Sequence, residues 1–234
     1  MRIIATILFL VVTVILSVIS IVFALIDPSG RLYLWLAKIW SRSFLFLFRT
    51  KLSVSGVSNM KKGNNYVFCA NHSSYTDIPV LSVAVPQYTR LILRNTLTRI
   101  PIWGWALIAS PMIIIDRSNA LKARKTLNRA VEIIKGGASV LLFPEGTRTR
   151  DGSLQPFKRG AFHLAYESEV EVIPVAVKGT FEFMSRTESL PKIGKHVSVR
   201  IGESLRIDKS IAGDREREMD LMRRAEESIG RLLG

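Results

Sequence analysis

The chain begins with an uninterrupted apolar run, passes into an amphipathic stretch, and then alternates short apolar runs with longer periodic ones. Residues 3–26 carry no charge, and as a helix rising 1.5 Å per residue they reach about 36 Å, enough to cross the hydrocarbon core of a bilayer. That exceeds the apolar core of a signal peptide, and no convincing small-residue cleavage site follows, so an anchor is expected. Asp27-Pro28-Ser29-Gly30 reads as a turn. Over residues 31–49 a helical wheel gathers Arg31, Lys38, Arg42 and Arg49 within about 40°, with Trp35, Trp40 and most leucines elsewhere. Cations on one face with tryptophans on others predict a helix at a membrane surface. The short turn favours a hairpin in one leaflet over a crossing, and in either case the basic remainder should face the cytoplasm.

Beyond Thr50, apolar β-type runs are expected as strands at 52–57, 66–70, 90–94, 112–115, 139–143, 172–178 and 197–201. Helical spacing falls at 77–84, 118–135, 159–167 and 214–233, the last placing Leu221, Met222, Ala225, Ile229 and Leu232 on one docking face. The alternation predicts an α/β fold with a largely parallel central sheet flanked by helices, carrying function at its C-terminal strand ends. The expected division is a helical membrane-anchoring pair over 1–50 and an α/β domain over 51–234.

Charge narrows the partners. A net +14 and a pI near 10.3 imply an anionic surface or ligand: nucleic acid, membrane or a phosphorylated substrate. The apolar N-terminus favours the membrane. A single cysteine, Cys69, excludes a disulfide within the chain and suits a reducing compartment.

The chemistry centres on Asn71-His72-Ser73-Ser74-Tyr75-Thr76-Asp77, directly after the strand predicted at 66–70. On one helix His72 and Asp77 would lie roughly 140° apart, so the chain must bend to join them. His72 then belongs at a strand end and Asp77 at a helix start, where Pro79 is tolerated because the first turn needs no N–H there. Imidazole against carboxylate suits general-base catalysis: Asp77 fixes the tautomer while the other ring nitrogen accepts a proton from a hydroxyl. A helix-capping loop is the plainer alternative. Attack by Ser73, Ser74 or Cys69 has less support, since no G-x-S-x-G surrounds either serine.

Two further strand ends carry arginines. Ile113-Ile114-Ile115 leads into Asp116-Arg117, and Val140-Leu141-Leu142-Phe143 into Pro144-Glu145-Gly146-Thr147-Arg148, with Lys158 downstream. Guanidinium forks match phosphate oxygens, and Gly146 lets backbone approach a ligand, so together these residues suggest a phosphate site. Singly, each arginine could instead sit in a surface ion pair, Asp116 with Arg117 or Glu145 with Arg148. The Walker A spacing is absent. His163 and His196 lack companions and are expected to be structural, with no metal site. Residues 101–105, Pro-Ile-Trp-Gly-Trp, fit a bilayer contact, an acyl-chain contact or a packed core turn equally.

Four blocks in this order, Asn71–Asp77, Ile113–Arg117, Phe143–Arg148 and Val172–Val175, resemble the 1-acyl-sn-glycerol-3-phosphate acyltransferase family over about residues 66–178. The resemblance implies a glycerolipid acyltransferase-like fold and transfer of a fatty acyl group from acyl-CoA or acyl carrier protein to the sn-2 hydroxyl of lysophosphatidate, giving phosphatidate for phospholipid biosynthesis. It makes His72 the base and Asp77 its orienting group. It associates Arg117, Glu145, Gly146, Thr147 and Arg148, with Lys158 as an addition, with the glycerol phosphate. Pro111 and Ile114 stand where the family commonly has a glycine and an aromatic. No cofactor or metal is implied, because the thioester supplies the activation, and the expected location is the cytoplasmic membrane. Another lysophospholipid, glycerol phosphate or a transacylation would use the same chemistry. A membrane-anchored basic binding protein is the alternative of another class, though nucleic acid is not an expected partner, since aromatics do not cluster beside the soluble cations.

Overall fold

A computed structural model describes residues 1–85 and 88–234. The apolar run forms α1 (Arg2–Ile26), long and apolar enough to cross a membrane, with Ile3, Ile7, Leu10, Val14 and Val18 exposed. The Asp27 carboxylate accepts from the N–H groups of Ser29 and Leu32 and so closes the turn into α2 (Arg31–Leu47). Strands follow at β1 (Lys51–Ser55), β2 (Val67–Ala70), β3 (Thr89–Arg94), β4 (Ile113–Ile115), β5 (Ser139–Leu142), β6 (Val172–Lys178) and β7 (His196–Ile201). Between and after them come α3 (Asp77–Ala84), α4 (Trp103–Ala109), α5 (Ala120–Lys135), α6 (Gly160–Ser168), α7 (Thr180–Phe183) and α8 (Asp214–Leu233).

The strands form one sheet in the order β1-β7-β6-β2-β5-β3-β4. The run from β6 to β4 is parallel, while β7 pairs antiparallel with β6 and carries β1 alongside it in parallel. This is the α/β architecture the alternation predicts, its reversal confined to one side. Side chains alternate across the sheet with the two-residue period of a strand. Phe68, Leu141 and Ile173 join Phe44, Leu81 and Phe183 on the face covered by α1–α4. Val67, Cys69, Val140 and Leu142 join Ile134, Phe162 and Ile229 under α5, α6 and α8. The docking face expected on the last helix is the one that α8 buries through Leu221, Ala225 and Ile229.

The boundary expected at residue 50 is not a break in packing. Phe44 and Phe48 are buried among Phe9 and Phe183, with ring centroids 4.7 to 6.2 Å apart, so the helical pair shares a core with the sheet. α2 is correspondingly more than a surface helix, burying Leu34, Leu36, Ser41 and Phe44. Trp40 donates to the Thr13 hydroxyl and stacks near Trp103, whereas Trp35 stays half exposed. Arg49 leaves the helix at φ +51°. The wheel located the cations but could not show that the opposite stripe meets α3 and the sheet.

Residues 101–105 form the entry to α4. Ile102 takes φ +64° and the Trp103 N–H donates to the Pro101 carbonyl at 2.7 Å, a tight three-residue turn. Gly104 lies against the Thr98 backbone, where a Cβ would have no room. α5 starts two residues later than its periodicity suggests, because Asn119 caps it by accepting from the Lys122 N–H.

Phe48→Ala removes a fully buried ring at the junction of the two expected units. A loss of about 3–5 kcal/mol is expected, as for other buried phenylalanines. In detergent it should lower the melting temperature of the whole chain in one circular-dichroism transition; an independent appendage would leave the main transition in place.

Candidate active site

At the end of β2 the Asn71 side chain pairs with both backbone groups of Val177 on β6, at 2.9 and 2.7 Å, and fixes where the loop departs. The loop then folds back so that His72 Nδ1 lies 2.8 Å from Asp77 Oδ2. The same oxygen accepts from the N–H groups of Ser73 at 2.8 Å and Ser74 at 2.9 Å. Asp77 is fully buried, opens α3, and has no hydrogen-bond partner for Oδ1 among the described residues. His72 is held through its backbone as well, its N–H donating to Glu145 Oε1 at 2.6 Å and its carbonyl accepting from Thr149 at 2.9 Å. Its ring stacks on Phe143, with centroids 3.9 Å apart and planes 13° from parallel. With Nδ1 engaged, Nε2 is left for the cavity that His72 lines.

That cavity, about 270 Å³, is walled by Tyr75, Gly146 and Thr147 and by four arginines, Arg94, Arg117, Arg148 and Arg186. Arg117 donates to the Gly146 carbonyl, and Arg148 stacks its guanidinium 3.6 Å from the centre of the Tyr75 ring. Gly146 sits at φ +78°, and a Cβ there would stand 3.1 Å from Lys158 Nζ and 3.2 Å from Arg117 Nη1. Burial and then the neighbouring Arg94 charge lower the pKa of Arg117, a site where an anion would restore the balance. Neither carboxylate pairing weighed for Arg117 and Arg148 forms among the described residues: Asp116 bonds to Ser118, and Glu145 to backbone.

Glu145 is therefore placed differently from its neighbours in the same block. It lies behind the cavity, accepting from the N–H groups of His72 and Gln155, and burial pushes its pKa up to about 7. Lys158 lines an adjoining apolar cavity of about 170 Å³ that shares Arg117, Phe143 and Gly146 with the first. The nucleophiles considered are poorly set: burial drives the Cys69 thiol far up, and Ser74 Oγ donates to the Met184 carbonyl. His163 bonds Glu218 between α6 and α8, and His196 begins β7. Phe143, Tyr75, Arg94 and Arg186 escaped the sequence reading as site residues. Arg94 closes β3, and the rule that singled out Arg117 just beyond β4 could have found it; Arg186 has no local signal.

A family described as Acyltransferase matches residues 51–178, more than half of the chain. The chain belongs to the acyltransferase family. Its curated relatives include 1-acyl-sn-glycerol-3-phosphate acyltransferases from Saccharomyces cerevisiae, 34% identical over 67% of this chain and 52% of the relative, and from Salmonella typhimurium, 34% identical over 57% and 55%. A chloroplastic relative named in the same way from Arabidopsis thaliana is 34% identical over 68% of this chain and 45% of its own length. The chain thus spans about half the length of the curated relatives it matches. Its backbone also resembles the crystal structure of the 1-acyl-sn-glycerophosphate (LPA) acyltransferase PlsC from Thermotoga maritima, with a TM-score of 0.76 and 24% identity over 99% of this chain and 98% of that one. At that identity the likeness shows the fold.

The raised pKa of Glu145 has a defined consequence for stability. The folded state favours its protonated form, so its contribution to stability is complete below the ordinary value near 4.5 and is lost as pH rises through about 7. The melting-temperature advantage of wild type over Glu145→Gln, which cannot titrate, should shrink between pH 5 and pH 8. A constant difference would show that Glu145 keeps one protonation state across that range.

Proposed function

We propose that this chain transfers a fatty acyl group from an acyl thioester to the sn-2 hydroxyl of 1-acyl-sn-glycerol-3-phosphate, forming phosphatidate. The observation that carries the reading is the His72–Asp77 hydrogen bond on the wall of a cavity whose charged lining residues are arginines. Four such side chains, with no carboxylate partner among the described residues, suit a phosphate monoester. The relatives, which are 1-acyl-sn-glycerol-3-phosphate acyltransferases by name, support the same acceptor.

The chemistry follows from the proton positions. An alkyl hydroxyl ionises too weakly to attack unaided, so His72 Nε2 takes its proton as the oxygen bonds to the thioester carbonyl carbon, help worth roughly 10²–10⁴-fold. The buried Asp77 carboxylate stabilises the imidazolium formed. The tetrahedral adduct collapses by breaking the carbon–sulfur bond, and the thiolate recovers the proton. Activation resides in the thioester, so the reading requires no metal or cofactor. Arg117, Arg148 and Thr147 would hold the phosphate, and Gly146 would admit it. Glu145 acts through His72 as a positioning residue.

An apolar cavity of about 330 Å³ meets the arginine-lined one at Tyr75, Ile78 and Leu97 and continues between Phe9, Phe44 and Trp103. It is suited to an acyl chain, and it lies against α1, whose outer residues are apolar and exposed. This supports placement at the cytoplasmic membrane, with α1 and α2 in contact with lipid and the sheet on the cytoplasmic side.

With purified protein, lysophosphatidate and labelled acyl-CoA or acyl carrier protein, phosphatidate should form with wild type and disappear with His72→Ala; product from the variant would remove His72 as the base. Asp77→Asn should keep lipid binding while kcat falls at least about 100-fold, since the tautomer and the imidazolium lose their support. Arg117→Ala or Arg148→Ala should raise the KM for lysophosphatidate about tenfold or more, the size of one charge-assisted hydrogen bond. Movement of the donor KM alone would assign these arginines elsewhere.

A further inference from the structure

We propose that the outer face of α5 is the landing surface for a small acidic protein that carries the acyl group as a thioester, an inference that rests on the acyl-transfer reading of the His72 site. α5 follows directly on Asp116-Arg117, so its N-terminal end stands beside the arginine-lined cavity. It carries Lys122, Arg124, Lys125, Arg129 and Lys135 against one carboxylate, Glu132, and all five cations are exposed. At 100° per residue Lys122, Lys125 and Arg129 fall within about 60°, opposite the stripe that buries Ala130 and Ile134. Leu121, a large apolar side chain 75% exposed, borders that stripe at its site end.

These charges are left uncompensated, which separates α5 from the other charge-rich helix. On α8, Arg223 pairs with Asp220 and Glu227 at 2.8 Å, and Arg224 with Asp220 at 2.7 Å. Among the described residues no ion pair involves any α5 cation. Like charges at i,i+3 and i,i+4, such as Lys122 with Lys125 and Lys125 with Arg129, oppose helix formation. Arg90 at the start of β3 extends the same field; its pKa is lowered by burial and then by Arg129. Carboxylates from a partner would remove that repulsion.

Shape and position select the partner. From Lys122 to Lys135 the cations run about 20 Å along a convex ridge and diverge, whereas the phosphates of a free nucleotide carrier call for donors converging in a concavity. A bilayer is disfavoured because the sheet stands between α5 and the α1–α2 pair, and one flat surface cannot meet both outer faces. A helical acidic protein fits a convex basic ridge with an apolar residue at its end, and complementary charge of this kind speeds encounter and fixes orientation.

The test compares wild type with the triple variant Lys122→Glu, Lys125→Glu, Arg129→Glu in detergent, using acyl carrier protein and acyl-CoA of the same chain length. The KM for acyl carrier protein should rise at least about tenfold with kcat nearly unchanged, lose most of its salt dependence, and leave the KM values for acyl-CoA and lysophosphatidate within about twofold. Equal rises for both donors would overturn the proposal in favour of general steering, and no rise would remove the surface. Reduced pelleting of the variant with anionic vesicles, at unchanged carrier KM, would assign α5 to lipid and also overturn it. Fluorescence anisotropy of labelled holo-acyl carrier protein reads docking without turnover. Salt-sensitive binding by wild type and not by the variant would uphold the surface even if wild type transferred no acyl group, a result that would count against the His72 reading alone; absence of carrier binding with transfer from acyl-CoA intact would do the reverse.

Discussion

One oxygen of one buried carboxylate shapes the active loop. Asp77 Oδ2 accepts from the His72 ring and from two consecutive backbone N–H groups, so the bend that brings residues five apart together and the orientation of the imidazole have the same cause. A carboxylate fully removed from water is costly unless such donors surround it, and here they converge on Oδ2, with no partner for Oδ1 among the described residues. The surroundings hold the loop in that shape: Asn71 clamps its start to β6, Glu145 and Thr149 hold the His72 backbone, and Phe143 supports the ring.

The parallel sheet explains why the rest of the site assembles there. β2, β5, β4 and β3 run in one direction, so their C-terminal ends deliver His72, the Phe143–Arg148 loop, Arg117 and Arg94 to a single edge. Residues far apart in the chain thereby become walls of one cavity. Concentrated positive charge, with no carboxylate among the described lining residues, weakens the free protein and favours an anionic ligand.

The N-terminal pair is joined to this chemistry through packing. Phe9 from α1 and Phe44 from α2 line the apolar cavity that abuts the arginine-lined one, and they share a core with the sheet. A helical pair built in this way presents apolar surface outward while shaping the space next to His72. On the opposite face of the sheet, α8 pairs its charges within itself, while the α5 cations have no ion pair among the described residues.

What the sequence determined by itself is what depends on neighbours along the chain. Apolar β-type runs located the seven described strands, and helical spacing located α3, α5, α6 and α8, all to within a residue or two, with α3 and α8 at their exact bounds. The His72–Asp77 pairing was legible because helical geometry forbids it on a single helix and a bend was the remaining option. The four sequence blocks identified the family for the same local reason. Only the tertiary structure decided contacts between distant segments. It put Arg94 and Arg186 beside Arg117, turned Glu145 away from the cavity toward the His72 backbone, and buried Phe44 and Phe48 in the sheet's own core. It also made residues 101–105 a tight turn around Ile102 that leads into α4. Periodicity states that a face is apolar or charged, but which surface meets it depends on long-range packing, and no local pattern encodes that.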